Sequence, residues 1–528
     1  MATGKKLHEL VLSLSPNEKR HFRLKGSVQS GKRNYLLLFD ALEQLTKEAY
    51  SRDALTQALK GKLPIKDLHV TENYLYQRIL ESLRAYHEQR SIDAQLFNQL
   101  HNAAILENKG LYELSVKMLS SARKTVEKSS CNSLLIEILK RQARNIAAMQ
   151  TQKLQEKTDA ICNDLVVQAK LLKEEAEYFS LNQTSFVRYR KWKLARHQDE
   201  KQFVHNILKN KLIKNKPSKG SFYAQYLRHN TRNNCYSLLG QFEDACSEVE
   251  QIVQLWNANT KIKHQQLSLY IIQLSNLINQ KNKLKDFEAV TDLLAQLKNI
   301  KTKTYDEKAE QFQNYYFQKL AFHLNQLDFP SILELIPTIE AGLATYKDKI
   351  NRARRLAFYY NITVAYFISE CYEKVIHWLF KIQKIQRINE PRKDIQQFSR
   401  ILYLAICYKI QTDEGLKHLL KSAYQEEQNK DFFPFFKQTA TEDLENVLRR
   451  IDRKNDYVAP LHSFEKIVLK YFKILLGIIP GSREEKHIFK MFKTELLALS
   501  EEQKKVLGFE EFLLWIDLVY TKSTQHHF

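Results

Sequence analysis

The chain has 528 residues, 44% of them hydrophobic, and a formal net charge of +22, so it can bury a large core and is not a disordered polymer. Its 12 glycines and 9 prolines make up a much smaller share of the chain than the roughly 12% usual in soluble proteins. This low share argues against a turn-rich β-protein and favours long helices with short connections. The N-terminal run LHELVLSL is too short and too polar for a signal peptide, and no stretch of 18 uncharged apolar residues occurs; we therefore expect a cytoplasmic protein that does not span a membrane.

The positive charge is compatible with an acidic partner, which is a nucleic acid, an anionic membrane face or an acidic protein. The cysteines are scattered without the spacing of metal ligands, so we expect buried, reduced thiols. They are Cys131, Cys162, Cys235, Cys246, Cys371 and Cys407.

Residues 1–92 are predicted to form a helical bundle. Ser15 is expected to cap one helix, with Pro16 at the first helical position and Glu18 completing a capping box. Ser51 and Thr71 are the expected caps of two others. The four helical patterns are SLSPNEKRHF (13–22), RNYLLLFDALEQL (33–45), SRDALTQAL (51–59) and VTENYLYQRILESLRAY (70–86).

Two functions fit this N-terminal segment. It either caps a helical array, whose terminal core must be covered, or binds nucleic acid through Tyr76, Gln77, Arg78 and Arg84. The segment has 16 Lys and Arg against 10 Asp and Glu, a modest excess. The connection before the fourth helix is also longer than the three or four residues of a helix-turn-helix.

A second helical pattern recurs from residue 109 onwards. An aromatic residue opens it, and apolar or small residues follow three, seven and ten positions later on the same helical face. The opening aromatics from Phe242 to Tyr372 are 42 to 45 residues apart, and Tyr112 precedes Phe242 by about three such steps. Less well marked units are expected near 155 and 199. The copies are Tyr112, Ser115, Leu119 and Ala122; Phe242, Ala245, Val249 and Ile252; Phe287, Val290, Leu294 and Leu297; Phe329, Ile332, Ile336 and Ile339; Tyr372, Val375, Leu379 and Ile382; and a weaker one with Leu416, Leu420 and Ala423.

Each of these helices follows another. In FYYNITVAYFISECYEKVIHWLFKIQ (358–383), two amphipathic patterns flank Ser369-Glu370-Cys371, so the two helices are expected to lie antiparallel. A hairpin of this kind stacks on further copies to bury its apolar faces. We expect the repeated aromatic and apolar residues to be core.

This pattern resembles the tetratricopeptide repeat (TPR), as found in TPR-like regulators of bacteria. The segment GQFEDA (240–245) matches best, although the period here is about 43 residues against about 34 in the family. Thr363 stands where the family has Gly, Val375 where it has Ala, and no Pro closes the unit. The resemblance implies an all-α, right-handed α-solenoid of antiparallel helix pairs over residues 93–430, with lengthened helices. In residues 358–383 it is carried by Tyr359, Asn361, Ile362, Tyr366, Tyr372 and Glu373.

The most basic segment is FVRYRKWKLARHQDEKQFVHNILKNKLIKNKPSK (186–219), with eleven Lys and Arg against two Asp and Glu. On a helix, Tyr189, Trp192 and Arg196 would share a face. Basic side chains between aromatic ones suit contact with phosphates and bases, but the aromatics are equally explained as core and the cations as a solvated face. The candidate anion-binding residues here are Arg188, Arg190, Lys191, Lys193 and Arg196.

A second basic cluster, KDKINRARR (347–355), precedes the repeat at 358–383. First helices of stacked pairs line the concave side of an array, so Arg352 and Arg355 are candidates for an anion site there. Residues 431–528 are predicted to cap the array. The helix at 463–480 and a closing helix at 500–520, begun by a capping box of Ser500 and Gln503, supply this cap.

No phosphate loop, HExxH, GxSxG or calcium-loop motif occurs, so we expect no enzyme activity and no cofactor. The default function of such an array is a scaffold that binds an acidic protein or peptide in its concave groove. The alternative is a nucleic-acid-binding regulator that uses the N-terminal helices or the 186–219 segment, with the TPR-like array as a sensor or dimerisation arm. The sequence leaves the oligomeric state open.

Overall fold

The computed structural model describes residues 4–27, 34–45, 50–61, 68–88, 92–128, 132–149, 154–192, 194–195, 197–215, 217, 221–347, 349–385, 393–410, 463–479, 481–504 and 507–525. Throughout these residues the regular structure is helical, without a strand, which confirms the all-α prediction. Within the same residues, no helix is both long and apolar enough to cross a bilayer.

The contacts divide the chain into unit 1, Met1–Tyr270, and unit 2, Ile271–Phe528. The helices of unit 1 are α1 (Gly4–Ser13), α2 (Pro16–Ser27), α3 (Asn34–Gln44), α4 (Arg52–Leu59), α5 (Leu68–His87), α6 (Ile92–Asn108), α7 (Tyr112–Lys128), α8 (Asn132–Ala147), α9 (Leu154–Trp192), α10 (Gln198–Lys209), α11 (Lys211–Lys214), α12 (Phe222–Leu239), α13 (Phe242–Ala258) and α14 (Thr260–Gln265). The helix α15 (Leu267–Lys283) begins in unit 1 and ends in unit 2. Unit 2 continues with α16 (Phe287–Lys298), α17 (Tyr305–Asn325), α18 (Phe329–Thr345), α19 (Arg352–Ile368), α20 (Tyr372–Ile385), α21 (Lys393–Ile410), α22 (Ser463–Leu475), α23 (Arg483–Leu497), α24 (Glu501–Lys504) and α25 (Phe509–Gln525).

The caps predicted for the N-terminal helices are present with one exception, whereas α1 has no counterpart among the four predicted helices. The Ser15 N–H donates to Glu18 Oε2 over 2.8 Å, and the Glu18 N–H donates to Ser15 Oγ over 3.4 Å, which is the expected capping box. Ser51 Oγ accepts from the Ala54 N–H. The cap predicted at Thr71 is wrong, because α5 begins at Leu68 and Thr71 lies inside it. Leu68 is buried, so tertiary packing of the first turn outweighs the local cap signal.

Helices α1–α5 share one apolar core. Its centre is the contact of Phe22 from α2 with Phe39 from α3, whose ring centroids are 4.6 Å apart. Leu75 and Ile79 of α5 and Leu55 of α4 are fully or almost fully buried in the same cluster.

The repeated aromatics open helices. The helices α7, α13, α16, α18 and α20 begin at Tyr112, Phe242, Phe287, Phe329 and Tyr372 respectively. The residues three, seven and ten positions later are buried in all five helices, with at most 7% exposure. The core prediction is therefore confirmed for these three positions, whereas the opening aromatics themselves are half-buried. The weaker copy at Leu416, Leu420 and Ala423 lies outside the described residues.

The same turn precedes each of these five helices. Two residues before the aromatic, one residue adopts a left-handed conformation with φ between 56° and 75°. Its N–H donates to the carbonyl three residues earlier, and the next N–H donates to the carbonyl five residues earlier. This is a Schellman motif, in which a left-handed residue ends one helix. Only one further residue separates it from the next helix, so the paired helices are held in a tight hairpin. The left-handed residues are Gly110, Gly240, Lys285, Leu327 and Glu370.

Between the copies at Tyr112 and Phe242 the hairpin pattern changes. The helices α9 and α10 begin at Leu154 and Gln198, near the positions 155 and 199 that the period indicates, but α9 runs unbroken for 39 residues. Its middle, LLKEEAEYF, contains only helix-compatible residues and no Gly or Pro. A turn is therefore absent where the period would place one.

The C-terminal helices pack together with α19 and α21 in one apolar cluster. Phe512, Trp515 and Ile516 of the predicted closing segment are completely buried. The capping box of Ser500 and Gln503 is present. The single closing helix predicted over 500–520 is wrong, because Gly508, with φ 83°, separates α24 from α25.

Candidate functional site

The basic segment 186–219 is divided among the end of α9 and the short helices α10 and α11. Because α9 ends at Trp192, the helical face predicted to continue to Arg196 stops there. Lys193 and Arg196 lie outside the described residues, as does the side chain of Lys191. The structure therefore places only Arg188 and Arg190 from this candidate set.

These two arginines occupy different surroundings. The Arg188 guanidinium is half-buried and lies 5.1 Å from the ring centroid of Phe203 in α10. Arg190 is exposed and lies 5.9 Å from the ring centroid of Phe186, which is exposed too. Tyr189 packs against the core of unit 1, and burial raises the pKa of its phenol. Arg188 thus supports the packing of α10 on α9, whereas Arg190 faces solvent.

The four candidate residues of the N-terminal bundle point in different directions from α5. Tyr76 packs against the bundle core. The Arg78 guanidinium is half-buried and lies 6.0 Å from the ring centroid of Tyr35 in α3. Gln77 and Arg84 are exposed. Only the last two share an exposed face, because they are seven residues apart on one helix.

The basic cluster 347–355 borders a cleft of about 230 Å³ in unit 2, which we call the Arg355 cleft. The end of α18, the start of α19 and the middle of α20 enclose it. Arg352 is half-buried and is not one of its lining residues, and Arg354 packs on α17 with its guanidinium 4.5 Å from the Phe317 ring centroid. The lining residues are Glu340, Leu343, Ala344, Lys347, Arg355, Tyr359, Trp378 and Lys381.

Two aromatic rings form the apolar wall of the Arg355 cleft. The rings of Tyr359 and Trp378 meet edge to face with centroids 5.1 Å apart, and Trp378 is buried. Burial raises the pKa of the Tyr359 phenol; the charge of Arg355 opposes this rise and that of Glu340 adds to it. The phenol therefore stays neutral near pH 7 and remains a hydrogen-bond donor.

The charges around this wall are predominantly positive. Lys381 Nζ lies 3.9 Å from the Trp378 ring centroid and 2.8 Å from Glu340 Oε1, so this cation is already paired. The buried Nε of Arg355 has no hydrogen-bond partner among the described residues. Arg355 as a whole lines the cleft and is only half-buried, so an anion in the cleft would meet a cation in partly desolvated surroundings.

The sequence indicated only part of this cleft. Lys347 and Arg355 belong to the basic cluster that the sequence singles out, but Glu340, Trp378 and Lys381 were not predicted. Lys381 follows Trp378 by three residues, a spacing that places both on one helical face. No local pattern indicates that Glu340 of α18 reaches α20, because this contact joins two consecutive hairpins.

The remaining titratable groups of the described regions form no further centre. No group of three or more His, Cys, Asp and Glu there could hold a metal ion. Cys235, Cys246 and Cys407 are buried as expected, and burial raises the pKa of the Cys235 and Cys407 thiols to about 12. Cys162 and Cys371 are exposed, contrary to the prediction, because one lies on the outer face of α9 and the other at a hairpin turn. Cys131 lies outside the described residues.

Comparison of the chain with models of known protein families, with curated proteins and with solved structures found no match.

Proposed function

We propose that this protein is a non-enzymatic, cytoplasmic scaffold, built as a right-handed solenoid of TPR-like helix pairs that binds an acidic protein or peptide in its concave groove. The observation that carries the proposal is the Arg355 cleft, where the guanidinium of Arg355 adjoins an aromatic wall of Tyr359 and Trp378. We assign it as an anchoring position for an acidic side chain of the partner. No cofactor is needed for this function.

The repeated Schellman turns support the array. Five hairpins use the same backbone turn, two residues before an aromatic that opens the second helix. The helices that follow bury the same three positions. Such recurrence is typical of a solenoid, in which each unit contacts its neighbours through equivalent faces.

The size and chemistry of the Arg355 cleft suit part of a peptide. At about 230 Å³ it is smaller than the roughly 300–1,000 Å³ of pockets that enclose whole small-molecule ligands. It accommodates a side chain whose carboxylate meets Arg355 and Lys347 and whose methylene groups meet Tyr359 and Trp378. A carboxylate can accept two hydrogen bonds from one guanidinium, which favours Glu or Asp over a neutral side chain.

The proposal is tested by titrating the full-length protein into fluorescent peptides that contain Glu and leucine, and into peptides of the same sequence with Gln replacing Glu. We expect the acidic peptides to bind at least tenfold more tightly, and Arg355→Gln to abolish that difference. Lys374→Gln is the matched control, because Lys374 is an exposed cation on α20 that does not line the cleft. Equal binding of both peptide sets, or an equal effect of both variants, would contradict the proposal.

The alternative function, a nucleic-acid-binding regulator, has less geometric support. Its candidate residues on α5 do not share one face, and Arg188 packs on Phe203. It predicts binding of DNA or RNA that weakens steeply with salt. The same titration with a labelled oligonucleotide at about 50 and 200 mM salt distinguishes it from the scaffold.

A further inference from the structure

The long helix α9 has an exposed face of its own, which we call the α9 seam. It consists of residues spaced alternately by three and four positions, a spacing that places them in one line along a helix. Phe179 is 54% exposed and Phe186 is 40% exposed, and Val187 beside them is 58% exposed. The seam residues are Ala176, Phe179, Gln183, Phe186 and Arg190, all of them exposed.

The opposite face of α9 already packs inside unit 1. Tyr178 is buried and its hydroxyl donates to the Leu212 carbonyl over 2.7 Å. Ser185 is also buried, and its Oγ accepts a hydrogen bond from Asn234 Nδ2 in α12. A surface helix normally presents one apolar face to its core. The second apolar face on α9 is therefore not explained by the packing of unit 1.

The charge along α9 changes sign across the seam. Of the charged residues described at its two ends, Glu177 and Arg190 are exposed, whereas Glu174, Glu175 and Arg188 are half-buried. Two such helices side by side in the same direction bring like charges together. In opposite directions, Glu177 of each helix meets Arg190 of the other, which is the self-complementary arrangement of a two-fold interface.

We propose that the α9 seam is a homodimer interface in which two copies of the chain pair antiparallel about a two-fold axis at Gln183. In this register Phe179 lies against Phe186 and Val187 of the second copy, and burial of these side chains drives association. Arg190 lies next to Ala176 of the second copy, within reach of Glu177. Glu177 is exposed and its nearest cation, Lys173, is 3.9 Å away, an exposed pair that contributes little.

The paired Gln183 side chains fix the register in which the two antiparallel α9 helices meet. A polar residue in an otherwise apolar helix seam disfavours shifted pairings that would leave its amide against apolar atoms. A side-chain amide both donates and accepts, so two copies that meet at the axis can hydrogen-bond to each other. The overlapping segment, residues 174–192, is about 28 Å long at 1.5 Å per residue. An interface of this size is modest, so we expect association in the micromolar range.

A charge exchange tests the pairing in the full-length protein. Sedimentation velocity from about 1 to about 100 µM, the range expected for a small interface, should show a species of twice the 62.4 kDa chain mass. Arg190→Glu and Glu177→Arg should each weaken association at least tenfold, and the double variant should recover to within about threefold of the unaltered chain. A double variant as weak as the single ones, or a monomer at every concentration, overturns the proposal.

A cross-link tests the direction of pairing. Gln183→Cys, in a background in which Ser replaces Cys131, Cys162 and Cys371, should form an intermolecular disulfide on mild oxidation, because the two-fold axis brings residue 183 of both copies together. Val166→Cys in the same background is the matched control. Val166 is 53% exposed on the same helix, but antiparallel pairing places it far from its own copy. Cross-linking at 183 alone supports the proposal, whereas cross-linking at both positions or at neither overturns it.

Discussion

At three hairpin turns, substitution of the left-handed residue by glycine is expected to stabilise the folded protein. Lys285, Leu327 and Glu370 adopt φ values between 56° and 58°, a left-handed conformation that costs roughly 1–2 kcal/mol for residues with a Cβ atom. Gly110 and Gly240 occupy the equivalent positions without this cost. Backbone strain at these positions is thus retained in unit 2 and avoided in unit 1.

We predict that Lys285→Gly and Glu370→Gly each raise the free energy of unfolding of their hairpins by about 0.5–1 kcal/mol, the left-handed strain relieved less the entropy that glycine loses. The measurement is the amide hydrogen exchange of α16 and α20. Lys285→Ala is the control, because it removes the side chain but keeps the strain. Conversely, Gly110→Ala should destabilise α7 by about 1 kcal/mol, although a Cβ there meets no atom within 4 Å. No change in the two glycine variants and in Gly110→Ala, or a gain in stability for Lys285→Ala equal to that for Lys285→Gly, would contradict the assignment of strain.

The helix-opening aromatics could be predicted from the sequence, whereas the turns that precede them could not. The aromatic at each helix start was predicted, because a repeated apolar spacing is visible in any window of the sequence. The Schellman turns were not predicted, because three of five have Lys, Leu or Glu at a position where glycine is the usual signal. A turn that the hairpin packing imposes leaves no mark in local composition.

At the scale of elements, the capping box of α2 also joins the end of α5. Glu18 Oε1 lies 2.7 Å from His87 Nε2. Burial by itself raises the pKa of the Glu18 carboxyl, but hydrogen bonds from the Ser15 N–H and from His87 outweigh burial, and the net pKa lies below its usual value of 4.5. A lowered carboxyl pKa means that ionised Glu18 stabilises the folded bundle.

We predict that Glu18→Gln destabilises the bundle at pH 7 and that this loss shrinks as the pH falls. The stabilisation by ionised Glu18 is complete above the unfolded pKa near 4.5 and disappears as the pH falls through the lower folded pKa. Urea unfolding at a series of pH values from about 7 to about 3 measures the difference. Glu9→Gln, which alters an exposed carboxylate on α1, should show no such convergence. Ser15→Ala should cost about 1 kcal/mol throughout.

The helix α9 shows why element boundaries were harder to predict than the period. The positions near 155 and 199 do begin helices, as the repeat spacing indicates. The break expected between them is missing, because residues 171–179 favour helix at every position. A period gives the spacing of units, whereas the presence of a turn depends on a local signal that α9 lacks.

At the scale of the whole molecule, the candidate site could be predicted only in part. Lys347 and Arg355 stand in one basic run and were visible as a cluster. Glu340, Trp378 and Lys381 complete the Arg355 cleft from two other helices. Their convergence depends on how one hairpin packs on the next, and a single sequence contains no direct record of such contacts. The same limitation applies to the basic segment 186–219, whose described residues are divided among α9, α10 and α11.

The C-terminal helices and the Arg355 cleft are connected through α19. Trp515 of α25 is completely buried and stacks on Phe367 of α19 with ring centroids 5.5 Å apart. Arg355 is at the other end of the same helix. The packing of α25 therefore stabilises the helix that presents the guanidinium to the cleft.

We predict that Trp515→Ala destabilises unit 2 by about 3–5 kcal/mol, because it leaves a large cavity beside α19, and that it lowers the affinity for acidic peptides in proportion to the unfolded fraction of α19. Trp515→Phe keeps a stacking ring and should retain most of both properties. Hydrogen exchange of α19 and peptide titration, measured on the same samples, separate the two effects. If Trp515→Ala leaves α19 protected but still abolishes peptide binding, the partner contacts the C-terminal helices directly and the Arg355 cleft is not its anchoring position.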